Sequence, residues 1–371
     1  MIGPLDEYPI HQAPLPIGLV DSSDRNFYDR SYFNAHDRTG DIFLITGVGY
    51  YPNLGTKDAF VLVRRGDVQT AVHLGDAIDA DRLNQQVNGY RIEVVEPLRT
   101  IRLILEPTEG IAMDMTWQGS FDVLQEQPHI MRTGSRITLQ AQRFAQVGTW
   151  SGTLSIDGTD IVVDPSTWVG TRDRSWGIRP VGEPEPAGRP ADPPFEGMWW
   201  LYVPMRFDDF AIVLIMQEEP TGFRILNDCT RVWSDGRVEQ LGWPRVSIRY
   251  ASGTRIPTGA TIECTTPDGS PLVLDIESRL AVPIHVGGGY GGDPDWIHGT
   301  WHGEKFVERV SYDINDPAVA GRVMFGVIDH VGRAVCTGPG ADGVEGFGLF
   351  EHGALGRHDP SGFADWLTLA P

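Results

Sequence analysis

Along much of the chain, apolar and polar residues alternate one by one. Ile101, Leu103 and Leu105 share one parity, with Arg102 between them. Ile137, Leu139 and Ala141 alternate with Thr138 and Gln140, and Trp150, Leu154 and Ile156 oppose Ser151 and Ser155. Val310, Tyr312 and Ile314 alternate with Ser311 and Asp313. A period of two marks strands with one buried face. Between such stretches fall Asn88-Gly89, Asp157-Gly158, Asp235-Gly236 and Asp268-Gly269, pairs that favour the tight turns of antiparallel hairpins. Glycine (44 residues) and proline (27 residues) punctuate the chain too often for long helices. One stretch, 76–88, sets Ile78, Leu83 and Val87 where they can share a helical face, and a short helix is expected there. The expected fold is all-β: two antiparallel barrel- or sandwich-like lobes packed together, with few short helices.

The 371 residues suit two domains. The tract 180–195 holds six prolines and can be neither a central strand nor a helix interior. The expected division is therefore a β domain at 1–180, a linker or surface loop at 181–195 and a second β domain at 196–371.

A net charge of −20 argues against nucleic acid or an anionic membrane surface as partner. The longest strongly apolar run, 210–216, is far too short for a membrane-spanning helix. The N-terminus lacks the pattern of a signal peptide. The three cysteines, Cys229, Cys264 and Cys336, are widely spaced and read as reduced thiols of a cytoplasmic protein. Serine-hydrolase, zinc-protease, P-loop and dinucleotide-binding motifs are absent, so no cofactor is expected. The glycine run 286–292 has no helix start behind it and reads as a tightly turning loop.

Four clusters carry candidate chemistry. In 168–179, an extended chain turns Arg172, Arg174 and Trp176 to one side and Asp173 and Ser175 to the other. Two arginines can hold the polar end of a ligand. A carboxylate among them is expected to stay ionised, with its pKa pulled down, as an anchor or base. A buried Arg–Asp–Arg network pinning two lobes together accounts for the same residues. In 195–206, Trp199, Leu201 and Val203 share one strand face, and Trp200 and Tyr202 the other; Tyr202 can supply a phenolic proton. His298 and His302 stand about 13 Å apart along a strand, so a metal site is not expected there, while His298 is a candidate for lining a pocket. Glu351 and His352 are adjacent, so only one of them can face a given cavity. The catalytic candidates are Asp173, Tyr202 and His352. The substrate-contacting candidates are Arg172, Arg174, Trp176, Trp200, His298 and Glu351.

The run from Arg143 through Asp173-Arg174-Ser175-Trp176-Gly177, with Trp199-Trp200 and the late Glu351-His352 pair, resembles the AttH/CrtC-type two-lobed lipocalin-like family. The likeness is closest to bacterial members that carry Arg-Asp-Arg-Ser-Trp-Gly. Where other members have Asp-His-x-Trp-Gly, this chain has Arg174, which cannot shuttle a proton at ordinary pH. The resemblance implies two calycin-like barrels with a hydrophobic ligand cavity at or near their interface. It also implies a cofactor-independent lyase or isomerase, of hydratase or dehydratase type, acting on a large terpenoid-, steroid- or polyketide-like molecule. A non-catalytic binding protein for a hydrophobic small molecule is the alternative. Converging proton-transfer groups in the cavity would separate the two. Oligomeric state is not legible in the sequence.

Overall fold

The computed structural model describes residues 2–183 and 195–371. The first half runs through β1 (Phe27–His36), β2 (Ile42–Tyr51), β3 (Thr56–Arg65) and β4 (Val68–Ala77). Then come β5 (Gln85–Val87), β6 (Tyr90–Glu96), β7 (Thr100–Thr108), β8 (Ile111–Gly119), β9 (Leu124–Gln125) and β10 (His129–Thr133). The long β11 (Arg136–Ile156) is followed by β12 (Thr159–Val163) and β13 (Val169–Ile178). The second half contains β14 (Gly197–Arg206), β15 (Phe210–Glu218), β16 (Arg224–Trp233), β17 (Val238–Gln240) and β18 (Gly242–Tyr250). It continues with β19 (Pro257–Thr265), β20 (Pro271–Pro283), β21 (Phe306–Asp313), the helix α1 (Pro317–Val323), β22 (Ile328–Gly338) and β23 (Ala341–Gly356).

The strands form two antiparallel sheets that curl into half-barrel and near-barrel shapes, as the alternating pattern predicts. The order in the first is β21-β4-β3-β2-β1-β13-β11-β8-β7-β6-β5, with β9, β10 and β12 also on β11. The second runs β17-β16-β15-β14-β23-β22-β20-β19-β18. Strand β21, from the second half of the chain, closes the edge of the first sheet by pairing with β4. One strand thus crosses the division expected at 180–196. Most of the proline-rich tract, 184–194, lies outside the described residues.

Each lobe has its own core. Phe33, Leu44, Val61, Met115, Trp117 and Trp150 fill the first, and Leu201, Ile212, Leu214, Met216, Ile262 and Phe350 the second. A third core joins the lobes face to face, with Phe43, Ile45 and Phe60 from one sheet against Val213, Ile215 and Leu349 from the other. This explains why 210–216 reads as an unbroken apolar run. Ile212, Leu214 and Met216 point into their own lobe, while Ala211, Val213 and Ile215 point across the junction. A strand buried on both faces loses its alternation. All three cysteines are free and buried, with Cys229 Sγ 3.7 Å from Cys264 Sγ.

The helix expected at 76–88 does not form. After β4, Asp79 Oδ1 accepts from the Asp81 amide, and Asp81 Oδ1 accepts from the amides of Leu83 and Asn84. These local side-chain bonds offer the backbone an alternative to helix. Residues 85–87 then pair as a strand, with Val87 buried. The Asp157-Gly158 turn behaves as expected: both residues adopt positive φ (49° and 78°) and close the β11–β12 hairpin.

Candidate active site

Between the sheets lies a cavity of about 220 Å³, which shares Arg30, Leu139, Arg179 and Gly291 with an outer cleft of about 570 Å³. Strand register builds both walls. On the first sheet, Tyr32 of β1 sits beside Asp173 of β13, and Arg30 beside Ser175, which in turn neighbours Arg143 of β11. On the second sheet, Tyr202 of β14, Glu351 of β23 and Asp329 of β22 are successive cross-strand neighbours. The glycine run at 286–292 turns tightly and sends Tyr290 into the cavity. Its Gly289 has φ 79°, and a Cβ there would meet His298 Nε2 at 2.6 Å, so no other residue fits.

The central feature is a carboxyl pair. Asp329 is wholly buried, and its Oδ2 accepts a 2.6 Å hydrogen bond from the Tyr32 hydroxyl, reaching across the two sheets. Its Oδ1 receives no N–H or hydroxyl donor, and its other partner is the Glu351 carboxyl. Trp200 Nε1 donates to Glu351 Oε1. Burial raises Asp329 well above the ordinary carboxylate range, and the Glu351 charge adds to it. Glu351 is raised as well, again first by burial. Two neighbouring carboxyls away from water resist carrying two negative charges at once. Tyr32 and Trp200 thus each donate to one oxygen of the pair. Glu351 presents this pair to the cavity, with Asp329 behind it.

Asp173 faces the cavity from the opposite sheet, and its carboxyl makes no direct hydrogen bond to another described residue. Its pKa is raised rather than lowered: burial outweighs the pull of Arg143, Arg30 and Arg179. The sequence expectation of a lowered value fails because strand alternation turns Arg172 and Arg174 to the other face. The arginines that influence Asp173 come from β1, β11 and the position just after β13. Arg143 pairs with buried Glu126, Nε to Oε2 at 3.4 Å, and lies over the rings of Trp200 (5.9 Å) and Tyr202 (5.6 Å). Burial lifts Glu126 to about 7 despite Arg143. The Tyr202 hydroxyl lies close enough to Glu126 to influence it, but it completes no hydrogen bond of good geometry and stays a buried donor. His129 stacks on Trp200 at 5.9 Å; burial and Arg143 hold it neutral, down to about 4.

Of the residues singled out from the sequence, Asp173, Tyr202, Trp200 and Glu351 meet in this cavity. The others are placed elsewhere. His352 faces the core of the second lobe, its Nδ1 2.6 Å from the Trp200 carbonyl and its Nε2 2.8 Å from the Tyr250 hydroxyl. Burial there takes it down to about 3, so the ring is neutral at pH 7, with Nδ1 donating to that carbonyl. It is adjacent to Glu351 and therefore on the opposite strand face. Arg172 donates to Gln146 and lies over Phe144, away from the cavity. Arg174 pairs with Asp29 at 2.9 Å and bonds Gln85. Trp176 is exposed at the surface. His298 lines the outer cleft and is held between Asp58 and the Gly288 carbonyl, while His302 stacks on Trp296. Sequence reasoning left out Arg30, Tyr32, Glu126, His129, Arg143 and Asp329. The available signal was a charged residue inside a strand otherwise buried on both faces, as Asp329 is between Ile328 and Val331.

A family model described as a family of unknown function (DUF8625) matches residues 2–364. The chain belongs to that family. No curated protein matches it. Among solved structures it is similar to an AttH-like protein of Nitrosomonas europaea, with TM-score 0.50 and 13% identity over 93% of this chain and 98% of that one. It is also similar to kievitone hydratase of Nectria haematococca, with TM-score 0.50 and 12% identity over 96% of this chain and 95% of that one. At such identity the likeness is one of fold: the family shares the two-lobed, all-β architecture of AttH-like proteins. No helix among the described residues is long and apolar enough to cross a membrane.

Proposed function

We propose that the inter-lobe cavity is the active site of a cofactor-independent lyase or isomerase that adds, removes or relocates the elements of water or a proton on a largely apolar small molecule. The observation that carries this reading is the buried pair Asp329 and Glu351 on adjacent strands, which we read as sharing one proton, held opposite Asp173 across an aromatic-lined space. Loss of water needs an acid and a base on the two sides of the reacting bond, shielded from solvent. Glu351, resupplied by Asp329, protonates a departing hydroxyl, the C–O bond breaks and water leaves. Asp173 takes the proton from the neighbouring carbon, whose bonding pair becomes the new double bond. Addition of water is the reverse. The raised pKa of Asp173 makes it a stronger base than an exposed aspartate. Tyr202 and Trp200 line the space between them. The fold shared with kievitone hydratase fits this chemistry, and a terpenoid-, steroid- or polyketide-like body fits the ring-lined walls.

The test is a screen of tertiary and allylic alcohols on such scaffolds, and of their alkenes, for a change of one water by mass spectrometry. Wild type should turn over a member of the panel, and Glu351→Gln and Asp173→Asn should each lose about 10²–10⁴-fold in rate. Unchanged rates in both variants would remove the assignment. Tight binding without turnover by wild type would leave a ligand carrier.

A further inference from the structure

The proposed acid and base do not explain the two arginines at the mouth of the cavity. Arg30 stands within β1 with only 6% of its surface exposed, yet its side chain makes no hydrogen bond or ion pair with any described residue. Its Nη2 is completely buried without an acceptor. The face of Tyr290 lies 4.7 Å away, and the Asp58 and Asp173 carboxylates act on its charge without bonding it. The other buried arginines, Arg64, Arg172, Arg231 and Arg255, each donate at least one hydrogen bond. Arg179 likewise rests only on rings, those of Tyr28 (5.4 Å) and Tyr290 (6.0 Å). Leaving a buried guanidinium without an acceptor is costly, and in an acidic chain of net charge −20 carboxylates were plentiful. Both arginines border the inner cavity and the outer cleft, so they flank its entrance, whereas Glu351 borders the inner cavity alone.

We propose that the substrate carries a carboxylate, received between Arg30 and Arg179 at the mouth, with its apolar body extending inward toward Glu351. This rests on the reading of the cavity as an active site and names its substrate class. The flat fork of a guanidinium matches the two oxygens of a carboxylate. Asp173, close to both arginines, leaves room for one negative charge rather than two, which favours a carboxylate over a phosphate dianion. The electrostatic order from mouth to depth, cations first and the carboxyl pair last, sets the orientation of the ligand.

Isothermal titration calorimetry with cinnamate, cinnamamide, cinnamyl alcohol and phenyl phosphate tests this, since these probes pair an aromatic body with different heads. Cinnamate should bind wild type at least about tenfold more tightly than the amide, the alcohol or the phosphate. Arg30→Gln and Arg179→Gln should each bring cinnamate toward the amide and leave the amide unchanged. Arg30→Lys should keep part of the preference. Arg179 is less buried than Arg30, so its variant serves if Arg30→Gln does not fold. Glu351→Gln should keep the full preference. Its turnover therefore judges the catalytic reading, while the head-group preference judges this one. Acid and amide binding wild type within twofold, a preference that survives both glutamine variants, tighter binding of the phosphate, or no binding of cinnamate at millimolar concentration would each overturn the proposal.

Discussion

Glu126 offers a direct check on the electrostatics of the cavity wall. It is buried beside Arg143, and burial lifts it from 4.5 to about 7. The native state therefore binds a proton that the unfolded chain has already released between those two values. Stability falls with rising pH wherever the native state holds more protons, so the contribution is present below about pH 4.5 and is lost as pH rises through 7. At about 1.36 kcal/mol per pH unit, the loss comes to about 3 kcal/mol. The perturbation is Glu126→Gln, which keeps the shape and removes the titration. The variant also leaves Arg143 without its partner, which shifts its stability equally at every pH below the arginine range. The informative quantity is therefore the difference between variant and wild type as a function of pH. Urea unfolding at pH 4, 6 and 8 measures it. The stability of the variant relative to wild type should rise by about 3 kcal/mol from pH 4 to pH 8. A difference constant to within about 0.5 kcal/mol would mean that Glu126 titrates like a solvated carboxyl, and the burial of this wall would be wrong.

Further outcomes follow from single contacts. Asp329→Asn leaves an amide that cannot share a proton with Glu351; activity should drop about 10²–10⁴-fold, with the acidic limb of the pH–rate profile altered, while unfolding stability changes far less. Arg255 donates to the carbonyls of Ala354 (3.0 Å), Gly356 (2.6 Å), Thr368 (2.9 Å) and Asp365. Arg255→Met should cost about 3 kcal/mol or more and speed hydrogen exchange in 354–370, both read against wild type. In β13, a Cβ on Gly170 would meet the Asn34 carbonyl oxygen at 1.9 Å and Trp150 Nε1 at 2.8 Å. Gly170→Ala should therefore lower Tm markedly, whereas Gly253→Ala, with nothing within reach of its Cβ but a φ of 70°, should cost only about 1 kcal/mol.

The sequence made the architecture readable because each lobe is built from short strands whose parity tracks burial, as in 101–105 and 137–141. It could not show that the lobes share a third core, since the double-sided burial of 210–216 gives the same letters as any other buried run. The migration of β21 into the first sheet was hidden for a similar reason: Val310 and Tyr312 declare a strand but not its neighbour. The site was half legible. Asp173 stood out because it lies in a dense charged motif, and Trp200, Tyr202 and Glu351 because large or charged side chains stood on an identifiable parity. The partners of Asp173 were misjudged because residues adjacent in sequence point to opposite faces, and the relevant arginines are contributed by other strands. Asp329 was passed over beside His330, although a lone carboxylate in a doubly buried strand is the mark of a perturbed group.

The carboxyl pair carries the account, and its protonation can be observed without knowing the substrate. Carbon-13 NMR of protein labelled at the aspartate and glutamate side-chain carboxyls should show, at pH 7.5, a protonated carboxyl resonance that persists in Glu126→Gln. That resonance should shift in both Asp329→Asn and Glu351→Gln, since each variant removes one member of the pair. A wild-type spectrum with Asp329 and Glu351 both ionised at pH 7.5 would contradict the shared proton and, with it, the acid on which the proposed chemistry depends.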